Sequence, residues 1–149
     1  MRVVIADDSV LLREGVSRLL VEAGFEVVGQ ADDADKLLRE VAEKTPDVAI
    51  VDIRMPPTHT DEGLRAAREL RSRYPSLGVL VLSQYVRPSY AFELLADDAR
   101  GVGYLLKDRV SDLSELADAV ERVGKGGSVL DPSVVAQLVG RRRQGHDPI

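Results

Sequence analysis

Short runs of β-favouring apolar residues, each followed by a stretch with helical spacing, constrain this chain more than any other feature. The runs are Val3-Val4-Ile5-Ala6, Val27-Val28, Val48-Ala49-Ile50-Val51, Val79-Leu80-Val81-Leu82 and Tyr104-Leu105-Leu106. Consecutive apolar positions suit a strand covered on both faces, as in a parallel sheet. Between the runs, Leu12, Val16, Leu19, Leu20 and Ala23 share one side of a helix, as do Leu37, Leu38 and Val41. Ala67, Leu70 and Tyr74 repeat the pattern, and so do Leu113, Leu116, Ala117 and Val120. Such alternation with short links predicts an α/β fold: a doubly wound, five-stranded parallel sheet with right-handed crossovers, a three-layer sandwich.

Ser9, Ser89 and Ser111 are the expected helix N-caps, and Gly24 and Gly124 the expected stops. The segment GKGGSVLDPS from Gly124 reads as a loop, and residues 132 to 140 as a short sixth helix. The tail RRRQGHDPI mixes charge, Gly and Pro without periodicity, the composition of a linker or frayed terminus. The expected division is a folded unit at 1–125 followed by a short helix and linker at 126–149.

With 149 residues, 44% of them apolar and 30% charged, the chain has enough apolar content for one folded core. A net charge of -5 argues against wholesale nucleic-acid binding, Arg141, Arg142 and Arg143 being the local exception. The absence of cysteine excludes disulfides and thiolate metal sites. No apolar run nears the roughly 20 residues needed to cross a bilayer, so a cytoplasmic setting without membrane contact is expected.

In an open parallel sheet the carboxyl ends of the strands meet in one crevice. There the first strand delivers Asp7 and Asp8, the third Asp52, the fourth Ser83 and the fifth Lys107. Crowded carboxylates repel one another unless a cation holds them, and an all-oxygen cluster favours a hard ion, so Mg²⁺ is the expected cofactor. Asp52 is then the candidate nucleophile for a phosphoryl group, with Lys107 compensating its charge and Ser83 hydrogen-bonding an oxygen. Taken singly, Asp7-Asp8 reads as a strand-end turn with a capping acid, Asp52 as turn chemistry, and Lys107 or Ser83 as solvated surface. Only their convergence from four strand ends points to a site.

The motifs VVIADDS at 3–9, VAIVDIRMP at 48–56, VLVLSQY at 79–85 and GYLLKD at 103–108 resemble, in order and spacing, the receiver domain of two-component response regulators. The likeness runs over about residues 1–125 and is specific to regulators that carry a LuxR-type helix-turn-helix after the receiver. It implies a flavodoxin-like sheet in the order 2-1-3-4-5, with Asp52 as phosphoacceptor. Asp7, Asp8, Asp52 and the Arg54 backbone carbonyl would be metal ligands, Ser83 and Tyr104 a switch pair, and Lys107 the phosphate-binding lysine. On residue type alone Tyr104 reads as a strand residue with a wet hydroxyl.

The resemblance also implies a cognate sensor histidine kinase, a homodimer on activation through exposed faces of the first, fourth or fifth helix, and transcriptional control. DNA would be reached only through an output domain absent from these residues. The tail resembles the linker into such a domain, which favours a chain cut there over a stand-alone receiver.

Two departures stand out. The loop PPTHTDE at 56–62 is longer than in many receivers, with His59 read as a solvated loop residue rather than a phosphodonor. Asp108 follows Lys107 where many receivers have proline.

An enzyme is not expected beyond self-catalysed phosphorylation and dephosphorylation. A haloacid-dehalogenase-like phosphatase needs a second acid two residues after the nucleophile, where Arg54 stands. A phosphorylation-independent pseudo-receiver would usually lack one of the five key groups. GKGG at 124–127 matches neither phosphate-loop nor dinucleotide spacing.

Overall fold

The computed structural model describes residues 1–85, 88–95, 100–133 and 135–136. Their elements alternate: β1 (Arg2–Ala6), α1 (Val10–Glu22), β2 (Glu26–Ala31), α2 (Ala34–Lys44), β3 (Val48–Asp52), α3 (Glu62–Arg73), β4 (Gly78–Ser83), α4 (Pro88–Leu95), β5 (Val102–Leu106), α5 (Leu113–Gly124) and β6 (Ser128–Leu130). The strands form one parallel sheet in the order β2-β1-β3-β4-β5-β6. The expected order 2-1-3-4-5 holds, and a sixth strand is added at the β5 edge. That strand replaces the loop expected over GKGGSVLDPS, and Asp131 then joins it to β5 through its N–H on the Tyr104 carbonyl at 2.8 Å.

Strand alternation sorts the core onto two faces. Val4, Ala6, Ala49, Val51, Val79, Val81, Val102 and Tyr104 face Leu37, Val41, Leu64, Ala67, Leu70, Ala91 and Leu94 of α2, α3 and α4. Val3, Ile5, Val48, Ile50, Leu80, Leu82 and Leu105 face Val16 and Leu20 of α1 and Leu116, Ala119, Val120 and Val123 of α5. Each such fully buried Val, Leu or Ile side chain contributes about 1.5–3 kcal/mol of transfer free energy.

The ends of the helices set how the strands enter the crevice. Ser9 caps α1, its hydroxyl accepting the Leu12 N–H, and Gly24 ends that helix at φ +94°, a conformation that favours glycine. Ser89 is not a cap but lies inside α4, and α5 is capped by Asp112, whose side chain accepts the Glu115 N–H. Ser111 is displaced because Lys107–Ser111 wind into a 3₁₀ turn before the helix begins. Helix α5 includes Gly124, and Gly126 at φ +90° turns the chain into β6. The expected sixth helix lies largely outside the described residues.

Candidate functional site

The chain runs from β1 outward to β2 and returns across the sheet to β3, so the order reverses between β1 and β3. At such a switch point the loops leave in opposite directions and open a crevice at the carboxyl ends. Asp7 and Asp8 follow β1, Asp52 ends β3, Ser83 ends β4 and Lys107 follows β5. The structure brings together all five residues expected from the sequence.

One carboxylate oxygen each from Asp7, Asp8 and Asp52 lies within 4.8 Å of the others, the spacing of a metal-ligand set. Asp7 and Asp52 are almost wholly buried, whereas Asp8 opens to solvent. The Lys107 Nζ stands 3.1 Å from Asp52 Oδ1 and 3.5 Å from Asp7 Oδ2. Asp7 Oδ1 accepts the Ser9 N–H at 2.8 Å, but the buried Asp7 Oδ2 makes no hydrogen bond and has only the long ion pair to Lys107. A buried carboxylate oxygen without a donor is costly, and a hard cation would satisfy it. The donor set therefore fits Mg²⁺.

The electrostatics agree with that vacancy in the hydrogen bonding. Burial, and then the Asp7 charge, push the Asp52 carboxyl up to about 6 against the pull of Lys107 and the Arg54 N–H. Asp7 is raised as well, by burial first and only slightly by Asp8, against the Ser9 N–H and Lys107. One lysine does not neutralise three acids.

A recess of about 20 Å³ over Asp52 is lined by Arg54, Ser83, Tyr85, Tyr90 and Lys107 among others. The Arg54 guanidinium sits 5.3 Å from the Tyr85 ring centre, and the Arg54 N–H approaches Asp52 Oδ1 at 3.4 Å. The Ser83 hydroxyl donates to the Tyr85 carbonyl at 2.6 Å, and the Tyr104 hydroxyl reaches the same oxygen at 3.5 Å. Tyr104 is buried with the α2, α3 and α4 face of the core, so its ring is already inward and not a wet strand residue. A larger groove of about 820 Å³ opens at the amino ends of β4 and β5, beside Leu77, Gly101 and several arginines. None of the convergent carboxylates lines it.

Three contributors escape a reading of the sequence. His59 does not stand free in its loop: its Nε2 lies 2.9 Å from Asp8 Oδ2. Glu62 organises that loop, accepting the Thr58 N–H at 2.7 Å, the Thr60 N–H at 3.1 Å and the Thr58 hydroxyl. The Thr58 hydroxyl foremost holds the Glu62 carboxyl down at about 2. Asp131, fully buried, accepts the Leu106 N–H at 3.0 Å and the Arg109 Nε–H at 2.7 Å beside Lys107. The Asp-Pro-Ser step after a short apolar run was the one signal for it, since an aspartate there caps a new turn.

The response regulator receiver domain family matches residues 3–121. The transcriptional regulatory protein DegU of Brevibacillus brevis is 39% identical over 97% of this chain and 58% of its own length. The probable transcriptional regulatory protein NarL of Mycobacterium tuberculosis is 39% identical over 100% of this chain and 66% of its own. The solved receiver domain of that NarL superposes with a TM-score of 0.72 at 38% identity, covering 84% of this chain and 96% of its own. A LuxR-family two-component response regulator from Aurantimonas sp. SI85-9A1 gives 0.80 at 27% identity, covering 95% and 96%. The chain thus spans about 58–66% of the length of these curated relatives. Its parallel sheet, the acids at the switch point and these similarities lead to one conclusion: the chain belongs to the response-regulator receiver-domain family, and the solved structures it resembles include LuxR-family response regulators.

Proposed function

We propose that this chain is the phosphorylation-activated receiver of a two-component system, accepting a phosphoryl group on Asp52 in a site completed by Mg²⁺. The observation that carries the proposal is the pairing of buried Asp52 with Lys107 at 3.1 Å beside an unsatisfied Asp7 oxygen. Asp7, Asp8, Asp52 and the Arg54 carbonyl would hold the Mg²⁺, which when bound supplies positive charge against the phosphoryl oxygens. An Asp52 carboxylate oxygen forms the new bond to phosphorus. The donor's bond to phosphorus breaks, and its electron pair stays with the donor. Lys107 compensates the charge arriving on the phosphoryl oxygens.

Transmission of the signal would start at the Tyr85 carbonyl. To bond a phosphoryl oxygen, the Ser83 hydroxyl must leave that carbonyl, which Tyr104 also reaches. One movement then changes the surroundings of the Tyr104 ring and the surface of α4 and β5, shifting an existing equilibrium between two conformations. In the whole protein the donor would be a sensor histidine kinase in the cytoplasm and the response self-association. The expected boundary at residue 125 moves outward, because β6 (Ser128–Leu130) and Asp131 belong to the receiver sheet, and the residues after them would lead to the DNA-binding domain that controls transcription. No helix among the described residues is long and apolar enough to cross a membrane.

Sedimentation of the chain with and without a small acyl-phosphate donor and Mg²⁺ tests this reading. Donor-dependent dimerisation that Asp52→Asn abolishes is expected. Dimerisation that survives the substitution would favour a phosphorylation-independent interaction module.

A further inference from the structure

His59 and Asp8 are 51 residues apart in the sequence yet meet at 2.9 Å, and the loop between β3 and α3 is built to make them meet. The His59 N–H donates to the Met55 carbonyl at 2.9 Å, and the residue is held at φ +55°, where a non-glycine residue is uncommon. Next to it, the Thr58 and Thr60 N–H groups both end on the buried Glu62 carboxylate, and the two threonine hydroxyls lie 2.8 Å apart. The backbone on either side of His59 is thereby fixed. Among the described residues, His59 is the one hydrogen-bond partner of the Asp8 carboxylate. Asp8 is also the most exposed of the three clustered acids and so the one with most side-chain freedom to lose.

We propose that His59 is a positioning residue for the divalent cation: its imidazole holds Asp8 Oδ2 so that the Asp8 carboxylate is presented in a fixed orientation toward Asp7 and Asp52. The inference rests on the Mg²⁺ site proposed above. Partners that orient a metal ligand typically carry 10–100-fold in metal affinity, and an arrangement half open to water belongs at about the lower figure. The ordering of Asp8 is completed before the cation arrives, so less side-chain freedom is lost on binding.

Calorimetric titration of the full chain with Mg²⁺ alone, at fixed pH and ionic strength, tests this without any phosphorylation. His59→Ala should weaken Mg²⁺ binding about tenfold, and His59→Gln, whose amide nitrogen can donate to the same oxygen, should recover most of the loss. Thermal unfolding in chelator should be the same for all three proteins. Unchanged or tighter binding in His59→Ala would overturn the inference, as would a loss that glutamine does not recover. Failure of the unsubstituted, folded chain to bind Mg²⁺ would instead overturn the reading of the acidic site itself.

Discussion

Asp52→Asn should stabilise the metal-free protein while removing its phosphoacceptor. Burial and the neighbouring Asp7 charge raise the Asp52 carboxyl to about 6 in the folded chain. An exposed aspartate titrates near about 3.9, and each unit of difference corresponds to about 1.4 kcal/mol. The folded chain therefore holds the proton more tightly than the unfolded one. The stabilisation from that proton is complete below about pH 4 and is lost as pH rises through about 6. Above that pH the ionised aspartate leaves the fold about 3 kcal/mol less stable than a neutral residue would. Asparagine is neutral throughout, so its gain should approach 2–3 kcal/mol, about 5–10 °C in Tm, at pH 7.5 and fade towards pH 4. Urea unfolding in chelator at several pH values, followed by circular dichroism, reads both numbers. An Asp52→Asn protein less stable than its parent at pH 7.5, or a gain independent of pH, would refute the claim that burial and one lysine for three acids leave the Asp52 charge undercompensated in this crevice.

Asp131→Ala should cost about 3 kcal/mol in urea unfolding, because the half-buried Leu106 N–H loses its charged acceptor and the turn at Ser133 loses its cap. Burial pushes the Asp131 carboxyl up, but the Leu106 and Ser133 N–H groups and Arg109 outweigh it and hold it below its usual value, so this contribution should be lost as pH falls through the acid range. Gly63→Ala places a methyl carbon 1.7 Å from the Asp52 carbonyl oxygen, so the start of α3 must move off the site strand. A loss of about 3 kcal/mol by thermal unfolding is expected, at the upper end for overpacking.

Much of this architecture was legible because its strands are buried on both faces and so read as unbroken apolar runs, as in Val79 to Leu82. The site was legible for a related reason: a parallel sheet sends residues far apart in sequence, from Asp7 to Lys107, to one rim. What stayed hidden depends on edges and on contacts across loops. β6 has three residues, none fully buried, so its pairing with β5 leaves no apolar run to recognise. Ser111 lost the cap to Asp112 because a 3₁₀ turn took up the preceding residues, a choice that propensity does not register. His59 looks like any polar loop residue until Glu62 and Met55 fix the backbone around it. Tyr104 could have been placed from strand alternation, since it shares a face with Val102, and its burial follows from that register.

Phosphorylation of Asp52 itself is the claim on which the rest depends. Intact mass of the chain after incubation with a small acyl phosphate, with and without Mg²⁺, followed by mapping of the modified peptide, tests it most directly. One Mg²⁺-dependent phosphoryl adduct, confined to Asp52 and released by hydroxylamine, is predicted. No adduct, or one that persists in Asp52→Asn, would contradict the account and leave the acidic crevice as part of an interaction module.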